Sequence, residues 1–238
     1  MKKILFFFGF IGTDIEPVDI VTSRLNYVSR QMSYLSEVLK EHPIFDKRYA
    51  IFTSPNHLDK TISDICDHLN FDLYPVLHNF YRDNVFEYPG MKAMKEESEN
   101  DKDSLFFYSH SKGSGCPSLI SESIFKLHIK ECLTCNVDSI FNDINIQKAG
   151  LFPSQEGWLW HNFFWVRSSY FSTKEVKLEE DRYKYESLLG EKGNINGYGA
   201  AFPLMTNSSF FLPFPRKKVY MPNDLDINPI FKKMLENV

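Results

Sequence analysis

The chain opens on an unbroken apolar run, residues 4–8, set between Lys3 and Gly9. A run without polar alternation predicts a strand covered on both faces. Further on, Val18, Val21, Leu25, Val28, Met32, Leu35 and Leu39 recur at steps of three and four. That spacing draws one apolar stripe along a helix, and Pro43 lies where such a helix must stop. Tyr49–Phe52 predicts a second strand, and Leu58, Ile62, Ile65 and Leu69 a second helix. Leu73–Leu77 reads as a third strand, weakened by Pro75. Pro89-Gly90 opens another helical stretch that ends in the charged run Lys95–Asp103. Leu105–Tyr108 is a fourth strand, running straight into His110-Ser111-Lys112-Gly113.

Strands that alternate with helices predict an α/β fold, Rossmann-like, with a mainly parallel sheet flanked by helices. Beyond Gly113 the pattern changes. A helix is expected over Leu119–Leu133, a strand or two around Trp158–Trp165, and a short helix over Asp181–Leu189. No repeat, linker or charge block marks a boundary, so the expectation is a single domain over residues 1–238.

Composition narrows the function classes. Lys and Arg number 27 against 31 Asp and Glu, a net charge of −4, and 43% of residues are apolar. That is too apolar for a disordered chain and too acidic to clamp nucleic acid over a broad surface. A local basic pocket stays open. Met1-Lys2-Lys3 and the apolar run imitate a secretion signal, but Gly9, Gly12, Asp14, Glu16 and Asp19 follow with no small-x-small cleavage site. The run is read as a strand, no stretch approaches the length of a membrane span, and the expected location is cytoplasmic.

Three constellations could carry chemistry. His110-Ser111-Lys112-Gly113 ends an apolar strand, and ligands of open α/β sheets bind beyond the carboxyl ends of the strands. His110 and Lys112, two apart, share a face if the strand geometry continues. Such a cationic pair could grip a diphosphate, the alternative being a solvated surface turn. Trp158-Leu159-Trp160-His161-Asn162-Phe163-Phe164-Trp165-Val166-Arg167 holds every tryptophan of the chain. Aromatic faces stack on sugars and bases while Asn and Arg fix orientation, and an aromatic core strand is the plain alternative. In Asp181-Arg182-Tyr183-Lys184-Tyr185-Glu186, a carboxylate could serve as general base toward a hydroxyl, or the segment is a solvated helix start.

Weaker signals surround these. Cys132-Leu133-Thr134-Cys135 is a lone C-x-x-C with His128 one turn earlier, short of a zinc site. Asn207-Ser208-Ser209 is a glycosylation sequon. Asp224-Leu225-Asp226 spells D-x-D but follows no apolar strand.

Four segments in order, Glu87-Tyr88-Pro89-Gly90, His110-Ser111-Lys112-Gly113, Gly150–Arg167 and Arg182–Gly190, resemble a family of glycosyltransferase-like proteins of bacteria, protists and large DNA viruses. More remotely they are similar to rhamnan-synthesis proteins with a His-x-Lys after a strand. The resemblance spans residues 85–190. It implies a GT-A-like fold and a soluble enzyme that moves a sugar from a nucleotide-diphosphate donor to a glycan acceptor. In that fold a D-x-D holding Mn²⁺ or Mg²⁺ follows the fourth strand, where this chain has His110-Ser111-Lys112. A His/Lys pair holds a hard cation poorly yet supplies positive charge itself. No metal ligands are therefore assigned, and a metal requirement stays open.

On this reading His110, Lys112, Gly113 and Arg182 bind the donor, and Trp160, Asn162, Trp165 and Arg167 shape the sugar or acceptor. Glu186 or Asp181 is the base, and sequence does not separate the two. The family has Trp where this chain has Leu188. The competing readings are a non-catalytic carbohydrate- or nucleotide-binding protein and a nucleotidyltransferase.

Overall fold

A computed structural model describes residues 1–74, 80–81, 83–115, 117–151, 158–181, 183–190 and 201–203, with the backbone alone at residues 80–81, 160, 186 and 201–203. The first strand, β1 (Lys3–Phe10), is what its unbroken apolar run predicts: residues 4–9 are all buried. Leu5 and Phe7 pack into one core, Ile4, Phe6 and Phe8 into another on the opposite face. Helix α1 (Val18–Glu41) buries Val21, Val28, Met32, Leu35 and Leu39 of its stripe. Val18, at its exposed start, lies outside that core.

The chain then alternates as its pattern predicts. Strand β2 (Lys47–Thr53) leads to α2 (Asp59–Leu69), and two short strands follow, β3 (Asp72–Leu73) and β4 (Phe80–Tyr81). The expected third strand thus begins one residue early and stops at Leu73; residues 75–79 lie outside the described set. Helix α3 (Tyr88–Asn100) takes Pro89 in its first turn, where the missing N–H costs nothing. Strand β5 (Leu105–His110) extends two residues further than its apolar run, because Ser109 and His110 still pair with β1. Helix α4 (Leu119–Thr134) starts at Ser118, whose side chain accepts from the Ser121 N–H. The later elements are α5 (Val137–Phe141), β6 (Lys148–Gly150), β7 (Phe164–Arg167), α6 (Ser168–Phe171), α7 (Tyr183–Glu186) and β8 (Ala201–Pro203).

All described strands join one sheet in the order β3-β2-β1-β5-β7-β6-β8, with β4 also on β2. Every pairing is parallel except those of β7, which runs backwards between β5 and β6. The fold is therefore the expected α/β layer arrangement, Rossmann-like, with a mainly parallel sheet between helices. Strand β1 connects outward to β2 on one side while β5 flanks its other side, and the crevice at such a reversal is where open sheets bind ligands. The reversed β7 has a second effect. Its register sets Phe164 opposite Tyr108 and Arg167 opposite Leu105. Residues just before β7 therefore reach the ligand end of the sheet, and Arg167 lies at the far end.

Candidate functional site

The site is built where β5 leaves the sheet. Ser111 N–H donates to Phe8 O at 2.8 Å, and Ser111 Oγ accepts from Phe10 N–H at 2.9 Å, so the turn stays stitched to β1. The Lys112 carbonyl accepts from Tyr27 Oη at 3.0 Å and Gln31 Nε2 at 2.8 Å, both on α1. Gly113 has φ +78°, and a Cβ there would meet Ser121 Cβ at 2.3 Å. Glycine is needed for the dihedral and for the close approach of α4's first turn. Lys112 thus sits on a backbone fixed from two helices and a strand, and this half-buried residue lies near enough for its charge to act on His128 and His161.

From the other face α3 brings Glu87. A Cβ at Gly90 would meet Tyr108 Cε2 at 2.8 Å and Phe8 Cβ at 3.0 Å, so the start of α3 rests directly on β1 and β5. Glu87 Oε1 lies 3.8 Å from His110 Nδ1, and Glu87 Oε2 accepts from Asn162 Nδ2 at 2.9 Å. His110 Nε2 is 2.8 Å from His161 O. His161 (φ 66°) and Asn162 (φ 52°) both hold left-handed backbone, which non-glycine residues adopt rarely and at a cost. They belong to a 3-10 turn, Trp160–Asn162, just before β7. On the far side of that turn His128 of α4 stacks on Phe163 at 4.8 Å and meets His161 edge-on at 5.3 Å.

The electrostatics follow from burial around one cation. His128 is pushed down to about 3, first by burial and then by the charges of Lys112 and His110. His161 is pushed well below the usual histidine value by burial of its ring, then by Lys112, His128 and His110. Both rings are therefore neutral near pH 7, beside a lysine. Tyr108 is pushed well above the usual phenol value by burial and by the Glu87 carboxylate.

The four sequence segments converge here. Beyond the Glu87, His110 and 160–162 contacts, α7 packs on the 160–162 turn. Tyr185 of α7 lies 6.4 Å from Tyr88, and Leu188 packs against the same core. The individual roles fare differently. Lys112 and Gly113 are at the switch point as expected. His110 is there too, but both ring nitrogens face protein partners, so it holds the site together and does not grip a diphosphate. Asn162, 2% exposed, is likewise committed to Glu87.

Trp165 is wholly buried, stacked on Phe45 at 5.2 Å with Nε1 donating to Cys132 O at 2.8 Å. It cannot stack on a sugar, because β7 turns it into the α1/α4 core. Arg167 donates to the carbonyls of Phe141, Asp143 and Ile146 at the opposite end of the sheet, so it orients no ligand at this site. Asp181 is exposed, and its Oδ1 accepts from Tyr183 N–H at 3.0 Å, heading α7. Arg182, and the side chains of Glu186 and Trp160, lie outside the described residues, as do Asn207 and the Asp224-Leu225-Asp226 segment.

Sequence reasoning assigned no role to Glu87, His128 or His161. Glu87 carried a signal as the first residue of the Glu-Tyr-Pro-Gly segment, but nothing in the spacing says which residue it faces. Among the described residues, no group of three or more His, Cys, Asp or Glu is placed to hold a metal ion. Among the described residues, those at the end of β5 do not fit Mn²⁺ or Mg²⁺, since the carboxylate there, Glu87, is bonded to Asn162, and His110 and Lys112 offer nitrogen in place of oxygen. Cys132 is buried with its thiol pushed up, first by burial, and Cys135 is raised to about 11 for the same reason. Neither is an activated thiolate.

No family model matches the chain, and no curated protein does. One solved structure, a cytidylyltransferase from Leptospira borgpetersenii serovar Hardjo-bovis, is similar over 78% of this chain and 68% of its own. The identity is 13% and the TM-score 0.43, too remote a likeness to inform the chemistry. Among the described residues no helix is long and apolar enough to cross a membrane.

Proposed function

We propose that this chain binds a nucleotide-sugar at the β1/β5 switch point and transfers the sugar to a glycan hydroxyl without a bound metal at that point. The reading is carried by one observation. Four sequence segments far apart in the chain meet at the carboxyl end of β5, around a lysine whose backbone is fixed and whose neighbouring histidines are held neutral. A fixed cation in a partly dry crevice is what a leaving diphosphate needs, because its charge grows as the sugar bond breaks. His128 and His161, neutral and packed behind the turn, leave Lys112 without a charged imidazole from either of them. The candidate bases are Asp181, just before α7, and Glu186 within it, and α7 packs against the turn.

A non-catalytic nucleotide- or carbohydrate-binding protein is the second reading. It is favoured by the commitment of His110 and Asn162 to protein partners. Thermal-shift measurements with nucleoside diphosphates and nucleotide-sugars, in EDTA and in Mn²⁺, test the first reading, since a ligand that binds the folded state raises the melting temperature. A rise in EDTA is expected. No response to any nucleotide rejects the transferase, and a response confined to Mn²⁺ rejects its metal-free form. Binding without release of sugar to water or acceptor favours the second reading. Lys112→Ala is expected to weaken diphosphate binding by about tenfold to a hundredfold, the share of a charge-assisted bond. Its melting temperature without ligand is expected to stay close to wild type, because the bonds of its backbone carbonyl to α1 survive the substitution.

A further inference from the structure

Two adjacent left-handed residues need something to hold them. Glu87, the residue just before α3, reaches Asn162 directly and His161 through His110. One of its oxygens accepts from Asn162 Nδ2 at 2.9 Å, and the other lies 3.8 Å from His110 Nδ1, whose Nε2 is 2.8 Å from His161 O. A carbonyl only accepts, so Nε2 carries a hydrogen, and a hydrogen on Nδ1 as well is what a facing carboxylate favours. Two hydrogen bonds, Asn162 to Glu87 and His110 to His161 O, joined by the 3.8 Å approach of Glu87 to His110, form a circuit that holds the side chain of one left-handed residue and the carbonyl of the other. The side chains of Glu87 and His110 are only 14% and 13% exposed, so the circuit is largely shielded from water.

We propose that Glu87 is a positioning residue of this site, acting through Asn162 and His110 to hold the 160–162 turn in its left-handed form beside Lys112. The inference rests on the ligand site proposed above. Glu87 touches no ligand in it; it fixes the turn that does. The other groups facing His110 are Tyr108 from its own strand, Lys112 from the following turn, His161 from the 3-10 turn and His128 from α4.

The test uses the full chain and three variants: Glu87→Gln, Asn162→Asp and the two together. Glu87→Gln leaves a neutral amide–amide bond in place of the charge-assisted one, and Asn162→Asp sets carboxylate against carboxylate. The double change exchanges them and restores a charge-assisted bond. Amide hydrogen exchange at His161 and Asn162 is expected to quicken about tenfold in each single variant and to slow again in the double, since a charge-assisted bond is lost and regained. In Glu87→Gln the ¹⁵N signals of the His110 ring are expected to shift, because Nδ1 no longer faces a carboxylate. Affinity for uridine diphosphate is expected to fall about tenfold with the singles and to recover in the double.

Exchange in the double variant no slower than in the singles overturns the proposal. An unchanged His110 signal in Glu87→Gln overturns it as well, and if that variant does not fold, the Asn162→Asp and double pair still decides. Failure of the wild type to bind any nucleoside diphosphate rejects the transferase reading alone, because exchange and the imidazole signal are read without ligand.

Discussion

Gly113 and Trp165 show how single residues are constrained from opposite sides. At Gly113 the constraint is room: φ +78° and a would-be Cβ 2.3 Å from Ser121 Cβ leave no space for a side chain. Gly113→Ala is expected to destabilise by about 1–3 kcal/mol, seen as a fall in melting temperature of about 2–10 °C. Pairing it with Ser121→Gly recovers only the clash and not the dihedral cost. At Trp165 the constraint is filling. Trp165→Ala is expected to cost about 3–5 kcal/mol in urea unfolding, and Trp165→Phe about 1 kcal/mol, from the lost bond to the Cys132 carbonyl, which keeps the Cys135 thiol as donor. The sequence marked both positions but misread Trp165, for a physical reason. A strand covered on both faces has no polar alternation, so a stacking platform and a core ring look alike along the chain. His110 was placed correctly and assigned the wrong task, because spacing locates a side chain without saying what already faces it.

The elements were legible in proportion to their length. The apolar periods of α1, α2 and α4 and the apolar runs of β1 and β5 are long enough for burial to dictate their form. Helix α7 has four residues, too few to hold itself, and owes its place to neighbours. Buried Lys148 of β6 donates to Leu189 O just beyond α7 and to Tyr170 Oη at 3.0 Å, while Tyr185 Oη donates to Lys177 O at 3.1 Å. Lys148→Met keeps the volume and removes the donor. Amide exchange across residues 183–189 is then expected to quicken while that of β1 and β5 stays slow, because local opening is separable from global unfolding. A uniform change across the sheet would instead make Lys148 a general core residue. No local pattern announces a link between Lys148 and Leu189, 41 residues apart, so the short helix expected over Asp181–Leu189 came without the partner that holds it.

For the whole molecule, the buried histidines tie stability to pH. His128 is held at about 3 in the fold against about 6.5 in an unfolded chain. Its contribution is complete above about pH 6.5 and is lost as pH falls toward 3, since only the unfolded chain takes up the proton in that window. His161, lowered in the same direction, adds to it. The urea midpoint is expected to fall between pH 7.5 and pH 5.5, before most carboxylates titrate, and the fall is expected to shrink in His128→Phe, which keeps the stack on Phe163. At this scale the layer order followed from the alternation of runs and stripes, but the direction of β7 did not. That direction divides the aromatic segment at Phe163. Positions 158–162 build the turn beside Lys112, and positions 164–167 close the sheet. Both stretches hold buried side chains, Leu159 and Asn162 in the first and Trp165 and Val166 in the second, so a library over either that does not keep those residues should yield mostly insoluble chains. One continuous stretch of sequence thus serves two structures, a turn and a strand.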